Sequence, residues 1–266
     1  MSTLTIDRTA TAVRSEPPPV PTTRLVGLEL RKMFDTRSGF WLMASIVLSA
    51  LVATGAIILF APDEEIAYGS FGAAVGMPMA IVLPMVAILA VTSEWSQRSG
   101  LTTFTLVPHR HRVIGAKAVA AVIVGVVSMG IAFAVGALGN LLGSAIVGVD
   151  PVWDMTATEL LLIVLANVLG MMVGFMLGVL IRSSAGAIVA YFVYSLVLPG
   201  LAALLAASQG WFRDVQPWVD FNFAQTTLYD NVLTSEQWAQ LGTSGLIWLV
   251  APLVVGLVLV MRSEVK

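Results

Sequence analysis

The feature that most constrains this sequence is a series of long stretches without a charged residue. They cover residues 40–60, 71–93, 118–140, 160–181, 185–207 and 245–261. A helix needs about 20 apolar residues to cross about 30 Å of hydrocarbon, and each stretch is long enough, the last only narrowly. Only 11% of the 266 residues are charged, against about a quarter in soluble domains. The sequence therefore predicts an all-α integral membrane protein whose six transmembrane helices form one domain over residues 40–266.

The polar segments on the two sides of these stretches differ in charge. Of the 14 lysines and arginines, only Arg213 lies on the second side of a six-span arrangement. Because basic residues concentrate on the cytoplasmic side, this asymmetry predicts that both termini are cytoplasmic. The residues on the basic side are Arg8, Arg14, Arg24, Arg31, Lys32, Arg37, Arg98, Arg110, Arg112, Lys117, Arg182, Arg262 and Lys266.

Two different segments precede the first apolar stretch. Residues 1–23 are polar and proline-rich and lack an apolar run, so we expect a disordered tail. Residues 24–38 have the spacing of a short amphipathic helix lying in the membrane interface. Its apolar stripe holds Val26, Leu30, Met33 and Phe34, with Arg24, Arg31 and Asp35 opposite and Glu29 and Lys32 on the flanks.

Two regions on the external side depart from simple hairpins. The third apolar run continues to Val149, too long for an untilted span, so we expect its glycine-rich end to form an irregular tip. Residues 208–243 are rich in Trp and Phe interleaved with acids and amides. Tryptophan favours the headgroup region, so these segments are predicted to lie at the outer interface. Membrane anchoring is the favoured role, and a substrate or lid role is the alternative.

Small and amide residues inside the stretches indicate helix–helix contacts. Gly170, Gly174 and Gly178 recur every four residues, a spacing that lets two helices approach closely. Asn140 and Asn167 are amides within apolar runs, and a buried amide in lipid should face another helix or a cavity. Interhelical hydrogen bonding is favoured for both amides, and a polar lining of a translocation path is the alternative.

The residues that the sequence lacks argue against several classes of function. No Asp, Glu, Lys, Arg or His lies deep in any apolar stretch, whereas ion-coupled carriers usually place an ionisable group there. There is no cysteine, and both histidines, His109 and His111, lie in one basic loop without an HExxH motif. An intramembrane enzyme is therefore disfavoured, and no metal or cofactor site is predicted on this chain.

The most specific motif is the cytoplasmic connection between the second and third stretches. It reads EWSQRSGLTTFTLVPHRHRVIGAK from Glu94 to Lys117. An acid after the second span, a Gly/Thr turn, a Pro followed by basic residues and a Lys opening the third span resemble the permease subunits of ABC transporters of the ABC-2 type. The segment RLVGLELRKMFDTRSGFW and the layout of residues 24–266 also resemble that family. On charge alone, the favoured role of the loop is a topology signal that touches anionic lipid, and a docking surface for a cytosolic partner is the alternative.

The resemblance implies roles for several segments. It implies that residues 24–38 form a connecting elbow helix and that short extracellular helices precede the last span. It also implies that Gly100–Leu106 is a coupling helix, ended by Pro108, that sits in a groove of an ATPase subunit. The implied docking residues are Gly100, Leu101, Thr102, Thr103, Phe104, Thr105, Leu106, Pro108, Arg110 and Arg112.

The expected function follows from the resemblance and from one missing motif. The sequence has no GxxxxGK[ST], so ATP and magnesium are expected on a separate ATPase chain. We expect two ATPase subunits and two permeases, as a homodimer or with a related permease, in the cytoplasmic membrane and without nucleic acid. The apolar spans favour export of a hydrophobic or amphipathic compound, such as a drug or a lipid. The alternatives are a non-transporting subunit for sensing or assembly and an ion-coupled secondary carrier.

Overall fold

The computed structural model of the protein describes residues 20–35, 37–96, 110–229 and 233–262. Within these ranges the chain is almost entirely helical and contains no β-strand beyond an isolated bridge between Ala67 and Val152. The helices are α1 (Thr22–Asp35), α2 (Arg37–Phe60), α3 (Tyr68–Ser96), α4 (Arg110–Val147), α5 (Ala157–Ile181), α6 (Ser184–Ser208), α7 (Gly210–Val219), α8 (Phe221–Thr226) and α9 (Ser235–Arg262). A short 3-10 turn, Asp63–Glu65, lies between α2 and α3.

Six of the described helices, α2 to α6 and α9, are long and apolar enough to cross a membrane. At this level the prediction of an all-α chain with six potential spans is confirmed. The largest shift at the start of a predicted stretch is in α9, which begins at Ser235 rather than at residue 245. The polar segment before the stretch is helical because Thr234 and Gln237 form a capping box there.

The end of the third span differs from the expectation. α4 is helical from Arg110 to Val147, about 57 Å at 1.5 Å per residue, and its glycine-rich end is not an irregular tip. Gly139 lies against Thr54 and Phe71, and Gly143 also lies against Phe71. Because these positions lack side chains, α4 packs closely on α2 and α3, and the packing favours the regular helix.

α3 packs against α2, α4, α5 and α6 and has two prolines in its interior, Pro78 and, at its middle, Pro84. Pro84 has no N–H, so it cannot donate the helical hydrogen bond to the Ala80 carbonyl. The Tyr191 hydroxyl of α6 donates to that carbonyl instead, at 2.8 Å. On another side, Gly174 of α5 brings its backbone against Pro84. Pro84 is thus accommodated by contacts from two neighbouring helices.

Tyr191→Phe is expected to lower the free energy of unfolding by about 1–2 kcal/mol, because it removes the donor that the partly buried Ala80 carbonyl has in the Tyr191 hydroxyl. The thermal unfolding midpoint in detergent measures the loss. Tyr68→Phe is the matched control, since the hydrogen bond from the Tyr68 hydroxyl to the Phe133 carbonyl is long, at 3.4 Å. Equal midpoints for the two variants would contradict the role assigned to Tyr191.

α1 lies beside the spans and packs against α4 and α2. Its face toward the bundle is centred on Leu25, Glu29 and Met33, which are buried at four-residue spacing. The predicted stripe is therefore displaced: Glu29 faces the bundle, whereas Phe34 is 53% exposed. Val26 and Leu30 of the predicted stripe pack against the core, and Arg24 and Arg31 on the opposite side are exposed. The displacement follows from the charge partners of Glu29.

Candidate functional site

Four charged side chains from three helices meet where α1 lies on the bundle. Glu29 and Lys32 come from α1, Glu94 from the end of α3, and Lys117 from near the start of α4. We call these four side chains the charge cluster. Two carboxylates and two ammonium groups make its formal charge zero.

Lys117 is the most enclosed member of the charge cluster. Its side chain is 2% exposed, and its Nζ lies 2.5 Å from Glu29 Oε2 and 3.1 Å from Glu94 Oε1. The same ammonium donates to the Ala90 carbonyl at 3.1 Å. An ammonium group has three hydrogens, so three oxygens match its donors in number. Lys117 thereby joins α1 to the end of α3.

Lys32 completes the charge cluster from its outer side. Its Nζ lies 2.9 Å from Glu29 Oε1 and 3.3 Å from Glu94 Oε1, while its side chain remains 41% exposed. Burial on its own would lower the pKa of Lys32, but the hydrogen bond and charge of Glu29, joined by those of Glu94, outweigh it and raise that pKa. Lys32 is therefore positively charged throughout the physiological pH range.

The charge cluster holds the three helices together because its members are costly to separate. A carboxylate or ammonium buried without a partner loses its hydration and gains nothing in return. Removing one partner of a buried ion pair therefore costs about 3–5 kcal/mol. Moving α1 away from α3 and α4 would break these ion pairs and leave buried charges without partners, so the ion pairs oppose that motion.

A second contact holds the beginning of α1 to α4. The Arg112 guanidinium donates to the Val20 carbonyl at 2.6 Å and to the Thr22 hydroxyl at 3.4 Å. Arg112 and Lys117 lie five residues apart on α4, so they contact α1 at two separate points along its length. The relative position of α1 and α4 is fixed by both contacts.

The charge cluster borders the segment in which the docking residues were predicted. Gly100–Leu106 and Pro108 lie outside the described residues, and Arg110 is the first residue of α4. Glu94 lies just before this segment and Lys117 just after it, and they meet at 3.1 Å. The structure thus brings together the two ends of the predicted docking loop and attaches α1 to both.

Sequence reasoning did not find the charge cluster. It put Glu29 on the flank of the α1 stripe and treated Glu94 and Lys117 only as loop landmarks. Lys117 is nevertheless buried within α4, in a helix long enough to span a membrane. One signal was available: acids and lysines that stand alone at the borders of apolar helices need partners of opposite charge.

The three predicted packing glycines have different surroundings. Gly174 lies against Pro84 and Gly178 against Val91, so both bring α5 close to α3. Gly170 is the exception: a Cβ there would meet nothing nearer than the Tyr191 hydroxyl at 3.9 Å. Gly174 and Gly178 therefore lie in the contact between α3 and α5, whereas Gly170 faces the Tyr191 and Gln225 side chains.

Within the part of the chain that the structure describes, neither predicted amide donates to a neighbouring helix. Asn140 Nδ2 donates to the Val152 carbonyl in the connection after α4, at 2.9 Å. Asn167 Nδ2 donates to the Ile163 carbonyl of its own helix, at 3.0 Å. Interhelical bonding by these donors was therefore wrong, because backbone carbonyls lie within closer reach. The Oδ1 atoms of both amides are buried without a hydrogen-bond partner among the described residues.

The described side chains include no group that could bind a metal ion. Among the described residues, no three His, Asp or Glu side chains are grouped so that they could hold a metal ion. No protein-family model matches the sequence, and no curated protein matches it. The candidate functional site is therefore the charge cluster, in which ion pairs join α1, α3 and α4.

Proposed function

We propose that the chain is the permease subunit of an ABC-2 type transporter, moved by a separate ATPase at its cytoplasmic face. The observation that carries the proposal is the charge cluster, which ties α1 to both helices that border residues 97–109. A force on that segment would reach α1, α3 and α4 together, because buried ion pairs resist separation. In this proposal α1 is the elbow helix, and residues 100–106 form the coupling helix.

The proposed orientation has both termini in the cytoplasm. Its support is the charge asymmetry of the sequence, in which Arg213 alone among 14 basic residues falls on the external side. The charge cluster and residues 97–109 would then face the cytoplasm. α7, α8 and the first turns of α9 would be the short external helices, with their Trp and Phe side chains at the headgroup level.

The proposed assembly contains two permeases and two ATPase subunits. α6 supports a membrane-embedded assembly, because most of its apolar side chains, among them Val189, Leu196 and Leu204, lie on the surface of the chain. Lipid or a second permease would cover them. ATP binding would close the ATPase pair, push the coupling helix and shift the two permeases relative to each other. The cargo would be a hydrophobic or amphipathic compound that leaves the cell.

The test replaces residues 100–106 with a Gly/Ser linker of equal length. The full chain is co-expressed with a cassette ATPase encoded by an adjacent reading frame, and both are reconstituted in inside-out vesicles. We expect the replacement to abolish co-purification of the ATPase and ATP-dependent uptake of a lipophilic dye. The matched control replaces Asp63–Glu65, which connects α2 to α3 at the opposite end of α3 and should leave both readouts unchanged.

Each outcome bears on one part of the proposal. An ATPase that still co-purifies after the replacement would reject the docking segment. A stable complex without flux of any compound would favour the sensing or assembly role. Dye uptake that needs an ion gradient and no ATPase would favour a secondary carrier, and ATP-dependent uptake of a polar polymer alone would overturn the proposed cargo class.

A further inference from the structure

The face of α1 that points away from the bundle is both basic and apolar. The buried side of this helix is centred on Leu25, Glu29 and Met33, and the opposite side is exposed along the length of the helix. Residues three or four positions apart lie on one side of a helix. The exposed side chains at this spacing are Arg24, Leu28, Arg31 and Phe34. We call these four side chains the outer row.

The outer row is open to the surroundings of the chain. Among the described residues, the ion pairs of α1 involve Glu29 and Lys32, and neither arginine of the outer row takes part in one. Leu28 is 49% exposed. A Cβ at Gly27, which lies on the same side of the helix, would meet nothing within 4 Å. The part of the chain that the structure describes therefore leaves this face uncovered.

The charge cluster fixes the depth of α1 relative to the spans. Glu94 is the first residue after the apolar stretch 71–93, and Lys117 is the last residue before the stretch 118–140. Glu29 of α1 pairs with Lys117, and Lys32 of α1 pairs with Glu94. α1 therefore lies where these helices leave the hydrocarbon, which is the depth of the lipid headgroups. An exposed side chain of α1 at this depth meets headgroups.

The charge of this surface favours anionic headgroups. Arg24 and Arg31 are joined by Arg37, which is exposed at the start of α2, and the exposed acid among the described residues of α1 is Asp35. Three positive charges against one negative charge leave a net formal charge of +2. Each Lys or Arg near an anionic membrane surface strengthens binding about fivefold. A zwitterionic headgroup has no net charge and gains less from the same arginines.

The apolar side chains of this surface distinguish a phospholipid from a soluble anion. Leu28 separates the two arginines of the outer row, and Phe34 follows them. Phe40 and Trp41, near the start of α2, are 59% and 66% exposed. Free phosphate has no apolar part to cover these side chains, whereas the boundary between headgroups and acyl chains covers both kinds of group. Tryptophan also favours this boundary.

We infer that the outer row binds anionic phospholipid, such as phosphatidylglycerol, in the leaflet on the side of the charge cluster. The two guanidinium groups would bind the phosphates, and Leu28 and Phe34 would contact the apolar region beneath them. The membrane contact of α1 thus lies opposite to most of the stripe predicted from the sequence, because Val26, Leu30 and Met33 pack on the bundle. The lipid would hold α1 from outside while the charge cluster holds it from inside.

The experiment places a fluorescent probe beside the outer row. The chain has no cysteine, so Gly27→Cys gives a single attachment site, and its Cβ would meet nothing within 4 Å. The full-length chain with bimane at this site is reconstituted in phosphatidylcholine nanodiscs that contain a minor fraction of a phospholipid with a nitroxide near its headgroup. We expect nitroxide phosphatidylglycerol to quench bimane more strongly than nitroxide phosphatidylcholine with the same acyl chains. Unlabelled phosphatidylglycerol should compete.

Variants test the two arginines of the outer row. Arg24→Gln and Arg31→Gln should each lower the preference for phosphatidylglycerol about fivefold, because each removes one charge at an anionic surface. Both positions are exposed and glutamine is a good helix former, so the unfolding midpoints in detergent should not change. Replacing both arginines with lysine should retain most of the preference. Arg213→Gln is the matched control, since the Arg213 guanidinium lies elsewhere and already donates to the Ala206 carbonyl.

Three results would overturn the inference. Equal quenching by the two nitroxide lipids would remove the preference for an anionic headgroup. No quenching by either lipid would show that the outer row faces solvent or another protein. Loss of the preference in inorganic phosphate, but not in chloride at equal ionic strength, would identify a free anion as the ligand. The measurement uses no ATPase, so a failure of transport would leave the lipid preference standing, and the reverse also holds.

Discussion

Lys117→Met is expected to lower the free energy of unfolding by about 3–5 kcal/mol. The variant keeps a long apolar side chain but removes the ammonium that lies 2.5 Å from Glu29 Oε2 and 3.1 Å from Glu94 Oε1. The two buried carboxylates would then lose their most enclosed cation, and Lys32, whose side chain is 41% exposed, would remain beside them. The loss is expected to detach α1, since Glu29 lies at the centre of its buried face.

The measurement is the unfolding midpoint in detergent together with the rate of proteolysis within α1. Lys32→Met is the matched control, because it removes a cation from the same two carboxylates at the solvent side and should cost about 1 kcal/mol or less. Adding Glu29→Gln to Lys117→Met should recover part of the stability by removing a stranded carboxylate. If Lys117→Met and Lys32→Met behaved alike, the charge cluster would not hold the helices as described.

Gly174→Ala is expected to lower the free energy of unfolding by about 1–3 kcal/mol through overpacking. The added methyl group would lie 2.9 Å from the Pro84 carbonyl oxygen and 3.0 Å from its Cα. These atoms belong to the backbone of α3, so they cannot move aside as a flexible side chain would. α5 and α3 would have to separate, and their shared packing would loosen along the contact.

Gly170→Ala, one turn earlier in α5, is the matched control. Its added methyl group would meet nothing within 3.9 Å. Alanine in a helix interior generally adds about 0.5–1 kcal/mol relative to glycine, so the midpoint should rise or stay unchanged. The two variants make the same chemical change in one helix and are expected to have opposite signs. A shared sign would contradict the assignment of Gly174 to the helix contact.

The six potential spans were predictable because crossing a bilayer imposes a length and a lack of charge that are visible in the sequence. Their ends were less predictable because local interactions decide them. The capping box of Thr234 and Gln237 extends α9 into a polar segment. The glycines near the end of α4 suggested irregular structure, but α4 is a regular helix there, and Gly139 packs closely on Thr54 and Phe71.

The charge cluster was not predictable, because it joins side chains from three helices that are distant in the sequence. Glu29 and Lys117 are separated by 88 positions, and only the packing of α1 on α4 brings them together. The spacing of apolar residues in α1 placed Glu29 on a polar flank, because such a pattern describes one helix without the helices that pack against it. Likewise, Asn167 was visible as an amide in an apolar run, but the pattern could not show that its Nδ2 donates to the Ile163 carbonyl of its own helix.

The hydrogen bond from the Tyr191 hydroxyl to the Ala80 carbonyl has a consequence for motion within the chain. α6 supplies the donor that Pro84 lacks, and Gly174 of α5 presses on the same proline. Sliding α6 along α3 by one turn would leave that carbonyl bare in an apolar interior. Large movements within the subunit are therefore expected to carry α3, α5 and α6 as one rigid body.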